Sequence, residues 1–314
     1  MKFLFTMPST DGAITHLFKK SKGEQMHYSN FFKTIFIAAT LFFLWTPASA
    51  LAGPYTGDGI AVSQITSWAT GYLNYSPSAP LDESLYGQYK PEAGVSPMFQ
   101  TPENALGEAD RKIVTLGDLY QEQIDSRGSK GSITLSFDTA ITNGDGYDLA
   151  VFENGFISAG DGGLFAELAY VLVSTDGDYW SLFPSVSLTE DLPGAYGTID
   201  ATDVHNLAGK HANNYGNSEG TGFDLSDLMN DALVLAGLVD LDEINYVRVV
   251  DIPGSGDYYD SEGNPIYDAW VTWGSGGFDL DAVGVINSAV PVPGAVWLLG
   301  SGLLGLVGLG RKKS

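Results

Sequence analysis

Residues Ser132–Phe137 read SITLSF, with Ile133, Leu135 and Phe137 on one parity and Ser132, Thr134 and Ser136 on the other. Successive side chains of a β-strand point to opposite faces, so this alternation describes a strand with one face in a core and the other toward water. Working outward, Tyr170–Ser174 (YVLVS) and Tyr246–Val250 (YVRVV) are further runs rich in β-branched and aromatic residues. Between such runs stand Asn143-Gly144-Asp145-Gly146, Thr175-Asp176-Gly177-Asp178 and Gly254-Ser255-Gly256-Asp257. There glycine takes positive φ without cost and Asx side chains close turns. Helix signals are sparse: Leu225–Leu235 with Asp224 or Ser226 as N-cap, and a short turn near Gly117–Gln123. Many short strands, few short helices and no fixed-period repeat predict an all-β, jelly-roll-like two-sheet sandwich, one domain over residues 53–288, with 53–101 its least regular part.

The ends of the chain differ in character from this middle. From Met26 the sequence runs through one lysine into the apolar stretch Thr34–Trp45, then to small residues at Ala48-Ser49-Ala50 and Ala50-Leu51-Ala52. That is the layout of a secretory signal peptide over residues 26–52, a helix in transit, with Met26 as the expected start and residues 1–25 as an extension. At the other end Gly294–Gly310 carries no charge and is close to the length that spans a bilayer as a transmembrane helix. Arg311, Lys312 and Lys313 follow at once, the positive flank expected on the cytoplasmic side of an inner membrane.

Charge narrows the partners. Residues 53–290 hold seven Lys or Arg against 36 Asp or Glu, a balance that repels nucleic acid and anionic lipid and favours cations. The chain has no cysteine, which excludes disulfides, thiolate metal sites and cysteine nucleophiles. The segment Asn143-Gly-Asp145-Gly-Tyr-Asp148, with Glu153 nearby, gathers hard oxygen donors around glycines, the chemistry Ca²⁺ prefers. In Phe278-Asp279-Leu280-Asp281 the alternation predicts two carboxylates on one strand face, which a cation would neutralise. Asp145, Asp148, Glu153, Asp279 and Asp281 are therefore the expected ligands and Ca²⁺ the expected cofactor. The loop Asp257–Asn264 fails the EF-hand spacing, and His205 and His211 lie in a Gly/Asn-rich loop without a zinc-binding pattern. Tyr258, Tyr259, Trp270 and Trp273 crowd the approach to the last strand, either as rings that hold a sugar or as staples that pin a long loop. No catalytic residue stands out. With so many acids, no pair is nominated for glycosidic chemistry, and a secreted polysaccharide-active hydrolase or lyase is kept as the alternative to a non-enzymatic module.

Two resemblances add to this reading. The order Pro291-Val292-Pro293, apolar span, then Arg311-Lys312-Lys313-Ser314 resembles the PEP-CTERM sorting signal of exported bacterial proteins over residues 290–314. It implies recognition by an exosortase-type membrane enzyme and delivery to the cell surface or matrix. One position departs, since the family's usual Glu between the prolines is Val292 here, which puts cleavage efficiency in question. The middle, through Ser132–Phe137, Asp148–Asn154, Val173–Gly177, Trp180, Tyr246–Val249 and Gly277–Val283, resembles a group of exported bacterial cell-surface β-domain proteins defined by location. Galactose-binding-like and discoidin-like jelly rolls are similar in strand order, which implies a loop-borne extracellular polysaccharide as ligand.

Overall fold

The computed structural model describes residues 52–78, 97–272 and 274–289. The signal segment, the C-terminal span with Pro291, Pro293, Arg311, Lys312 and Lys313, and Trp273 lie outside the described residues. Among the described residues no helix is long and apolar enough to cross a membrane.

Strands are numbered in chain order, and every pairing among them is antiparallel. One sheet runs β1 (Ile60–Ala61), β13 (Glu219–Phe223), β6 (Leu149–Glu153), β17 (Asp279–Val285) and β2 (Ser67–Trp68), with β4 (Val114–Thr115) also on β17. The other runs β10 (Ser181–Leu182), β9 (Ala169–Ser174), β14 (Ile244–Asp251), β5 (Ser132–Ile141) and β3 (Gly71–Tyr72). Three two-stranded ribbons complete the set: β7 (Phe156–Ile157) with β8 (Leu164–Phe165), β11 (Val186–Ser187) with β12 (Val204–His205), and β15 (Ser255–Tyr259) with β16 (Pro265–Tyr267).

The architecture is β-rich and sandwich-like because the alternation sets one face of each sheet against the other. Ile133 and Leu135 of β5, Val171 and Val173 of β9, and Val247 and Val249 of β14 share one buried cluster with Leu149 and Val151 of β6, Phe223 of β13, and Val283 and Val285 of β17. Full burial of each such side chain contributes about 1.5–3 kcal/mol. A second, smaller cluster on the outer side of the first sheet collects Ile60, Ala150, Phe152 and Ala282 beneath Trp68.

Helices are short. Gln121–Asp125 forms α1, and the stretch expected as one helix over Leu225–Leu235 divides in two. Asp224 caps a 3₁₀ turn over Leu225–Leu228 by accepting from the Ser226 N–H at 2.9 Å. Asp231 then caps α2 (Ala232–Leu235) by accepting from the Leu233 N–H at 2.9 Å. A second Asp cap inside the run restarts the helix, because a side-chain acceptor satisfies amides that would otherwise need the preceding turn.

Phe223 is fully buried and packs on Phe183, ring centroids 5.0 Å apart. Phe223→Ala is expected to lower the unfolding free energy by about 3–5 kcal/mol. Urea titration checks this: the midpoint falls while the slope stays unchanged.

Candidate functional site

At one end of the sandwich interior the apolar period continues into acids. In β6 the inward positions Leu149 and Val151 are followed by Glu153. In β14, Val247 and Val249 are followed by Asp251. Ahead of β9, Glu167 shares the parity of Ala169, Val171 and Val173. Asp118 joins from the segment between β4 and α1, Asp268 from just after β16, and Asp279 from the first position of β17, opposite Thr115. All six carboxylates are buried; Asp251 is 1 % exposed.

Each has a few fixed donors. Asp118 accepts from the Leu119 N–H at 2.8 Å and the Thr272 N–H at 3.0 Å. Glu153 accepts from the Gly155 N–H at 2.7 Å, and Asp268 from the Leu168 N–H at 2.6 Å. Asp279 accepts from the Thr115 hydroxyl. The Thr272 hydroxyl lies within hydrogen-bond reach of both Glu167 Oε1 and Asp118 Oδ2 while accepting from the Gly277 N–H. One hydroxyl has one proton, so it serves only one of those carboxylates at a time. Asp251 Oδ1 accepts from the Phe278 N–H at 2.7 Å, whereas its Oδ2 is buried with no hydrogen-bond partner. Gly277 has φ +70°, and a Cβ there would stand 2.8 Å from Asp251 Oδ1, so glycine lets the loop close over the acids.

What the cluster lacks is positive charge. Among the described residues the one ion pair is Lys112 with Asp110, at the surface. Lys130 acts on Asp251 through its field, but its ammonium sits over the rings of Tyr170 and Tyr258, 4.5 and 4.6 Å from their centroids. Burial pushes all six carboxyls up, and mutual repulsion adds to this for Asp118, Glu153, Glu167, Asp268 and Asp279. Asp251 and Asp279 are each raised to about 7. Six desolvated acids without a base cannot all be ionised at neutral pH; protons or a cation must compensate them.

The five expected ligands are distributed over three places. Glu153 and Asp279 belong to the cluster. Asp145 is exposed in the turn before β6, while Asp148 is buried with its carboxylate filled by the Gly144 N–H, the Leu225 N–H and the Asn287 amide, at 2.8 to 2.9 Å. Asp281 receives the Arg111 N–H at 3.0 Å and the Asn213 amide at 2.7 Å, and burial raises it to about 6. It pins two loops to β17, whose register shifts between Leu280 and Ala282. Among the described residues no three His, Asp or Glu side chains converge as a ready-made metal-ligand group. The cluster is thus a set of mutually repelling acids around a shared interior, not a closed coordination shell.

Of the aromatic candidates among the described residues, two are tied into the loops and one is open to solvent. The Trp270 indole N–H donates to the Leu119 carbonyl at 2.9 Å, Tyr258 covers Lys130, and Tyr259 is 58 % exposed with its carbonyl accepting from the Tyr170 hydroxyl. Sequence pattern alone did not single out Asp118, Glu167, Asp251 or Asp268. For Glu167 and Asp251 the signal was present, since each occupies an inward parity position of a β-run. No protein-family model matches this chain, and no curated protein matches it significantly.

The raised carboxyls bind protons more tightly in the folded chain than in the unfolded one. Stability in metal-free buffer is therefore greatest near the ordinary carboxylate range and falls as pH rises from about 4 toward 7. Each carboxyl contributes about 1.4 kcal/mol to that fall for every tenfold by which folding strengthens its hold on the proton. Thermal unfolding across that range in EDTA checks the sign. Asp251→Asn, which keeps the Phe278 contact and removes one buried charge, should flatten the decline.

Proposed function

We propose that the chain is an exported cell-surface or matrix protein whose acidic, jelly-roll-like sandwich is stabilised by Ca²⁺ and serves a structural or polysaccharide-interacting role. The observation that carries the metal part is the buried Asp251 Oδ2, an acceptor without a donor among five other carboxylates that have no basic partner. A hard divalent cation satisfies such a set, because Ca²⁺ takes six to eight oxygens in adaptable geometry. Asp251, with those of Asp118, Glu153, Glu167, Asp268 and Asp279 that turn toward it on binding, would hold it, and its charge would replace the protons that otherwise keep them neutral. This set is preferred to the five acids expected from sequence, of which it retains Glu153 and Asp279.

Export and sorting rest on the sequence: the signal layout at residues 26–52, and the Pro291/Pro293, apolar span and Arg311–Lys313 order. In this reading the tail engages an inner-membrane exosortase-type enzyme, and the acidic body works outside the cytoplasm, where millimolar-range Ca²⁺ sites are at home. Fractionation of the native host is expected to place the protein in the envelope or medium.

Thermal unfolding with Ca²⁺ or EDTA at pH 7 tests the metal. Ca²⁺ at a hundred times its dissociation constant should stabilise by about 2.7 kcal/mol. Asp251→Asn should raise the melting temperature in EDTA and abolish the Ca²⁺-induced rise. Equal melting curves with and without Ca²⁺ would remove the assignment. A glycan array on the Ca²⁺-loaded protein, followed by product analysis, separates a binding module from a polysaccharide-active enzyme.

A further inference from the structure

The segment that begins at Gly53 is held to the body with unusual completeness for residues beside an expected processing site. The Gly53 N–H donates to Thr202 Oγ1 at 2.5 Å, and the Tyr55 N–H to the Thr202 carbonyl at 2.9 Å. The Tyr55 ring stacks on His205 with centroids 4.9 Å apart and planes 13° from parallel. Lys210 Nζ donates to the Tyr55 carbonyl at 2.7 Å, and His211 Nε2 lies 3.1 Å from the Gly57 carbonyl oxygen. Chain ends ordinarily fray unless tied down in this way.

The surroundings of Gly53 are acidic. A Cβ at that position would collide with Asp203 Oδ1 and the Thr202 carbonyl, so the α-carbon rests directly on the Asp203 carboxylate. Asp200 stands beside it, its Oδ1 accepting from the Thr202 hydroxyl at 2.6 Å, and the field of Glu190 also reaches Asp203. Thr202 Oγ1 thus spends its proton on Asp200 and offers Gly53 a lone pair. None of these three carboxylates belongs to an ion pair among the described residues. An amide nitrogen at Gly53 leaves that charge uncompensated; an ammonium at the same atom would compensate it.

We propose that hydrolysis of the Ala52–Gly53 bond frees an α-ammonium that pairs with Asp203 and locks the first residues of the processed chain onto the sandwich. Water adds across the amide under a signal-peptidase-class protease, Ala52 leaves as the carboxylate, and the Gly53 nitrogen takes up a proton. The inference rests on the export reading above. It also chooses between two cuts that the sequence leaves equivalent. Cleavage after Ala50 would leave Leu51 and Ala52 ahead of Gly53 and keep a neutral amide at the acidic site. Cleavage after Ala52 puts the new charge there.

The test is export of the full-length chain in its host, with mass spectrometry of the mature N-terminus and thermal unfolding of the purified product. Wild type is expected to begin at Gly53. Ala52→Gln, which removes the small residue needed at the second cut, should shift the start to Leu51 and lower the melting temperature by about 2–4 °C. Asp203→Asn should erase that difference. As an independent readout, acylation of the Gly53 α-amine should be several-fold slower in wild type than in Asp203→Asn. A product that retains residues upstream of Leu51 overturns the export reading and this inference with it. A wild-type start at Leu51 overturns this inference alone, as does a Gly53 start whose stability and amine reactivity are indifferent to Asp203→Asn.

Discussion

Placing carboxylates in a protein interior without bases is the constraint on which the rest of this molecule turns. An ion loses its hydration when buried, and only a counter-charge, several well-aimed donors or a proton can offset that loss. Here the donors are mostly single backbone amides, and the nearby lysine is engaged by two tyrosine rings. The end of the sandwich is therefore a place where the acidity of the solvent bears directly on the stability of the fold.

The same economy of positive charge shapes the opposite kind of site at the start of the folded body. The interior acids are enclosed by both sheets and by loops that glycine allows to approach closely. Beside Gly53, Asp203 is only partly buried and Asp200 and Glu190 are exposed, so these acids stand open to solvent. One set needs protons or a counter-charge to offset its burial; the other lies at the surface, where water already solvates part of it. A polypeptide with seven bases for 36 acids between residues 53 and 290 has few side chains with which to offset either set.

Much of the fold was legible because burial follows parity. The alternation in Ser132–Phe137 placed Ile133 and Leu135 in the core, and Tyr170–Ser174 and Tyr246–Val250 form strands one or more residues longer than their apolar runs. The division of Leu225–Leu235 was hidden because Asp231 acts as a cap only through its local geometry. The acid cluster was legible in part. Asp251 and Glu167 extend inward periods, yet an acid at such a position reads equally as the end of a strand. Asp118 and Asp268 carry no periodic signal, since they reach the interior from loops. Density of Asp and Asn around glycine drew attention instead to Asn143–Asp148, where Asp148 already has its donors from the backbone and Asn287.

Sheet connectivity has a bearing on when the chain can fold. Trp68 of β2 lies opposite Gly284 of β17, and Ile60 of β1 opposite Gly220 of β13. A polypeptide leaving the ribosome in the usual direction must be synthesised past Gly220 before β1 finds its neighbour and past Gly284 before β2 does, whereas β3 can pair with β5 earlier. Pairings so distant along the sequence close slowly, because the entropy of a long loop is lost before any contact rewards it. These two short strands thus stay unpaired until most of the domain has been synthesised, and the sheet they flank is completed last.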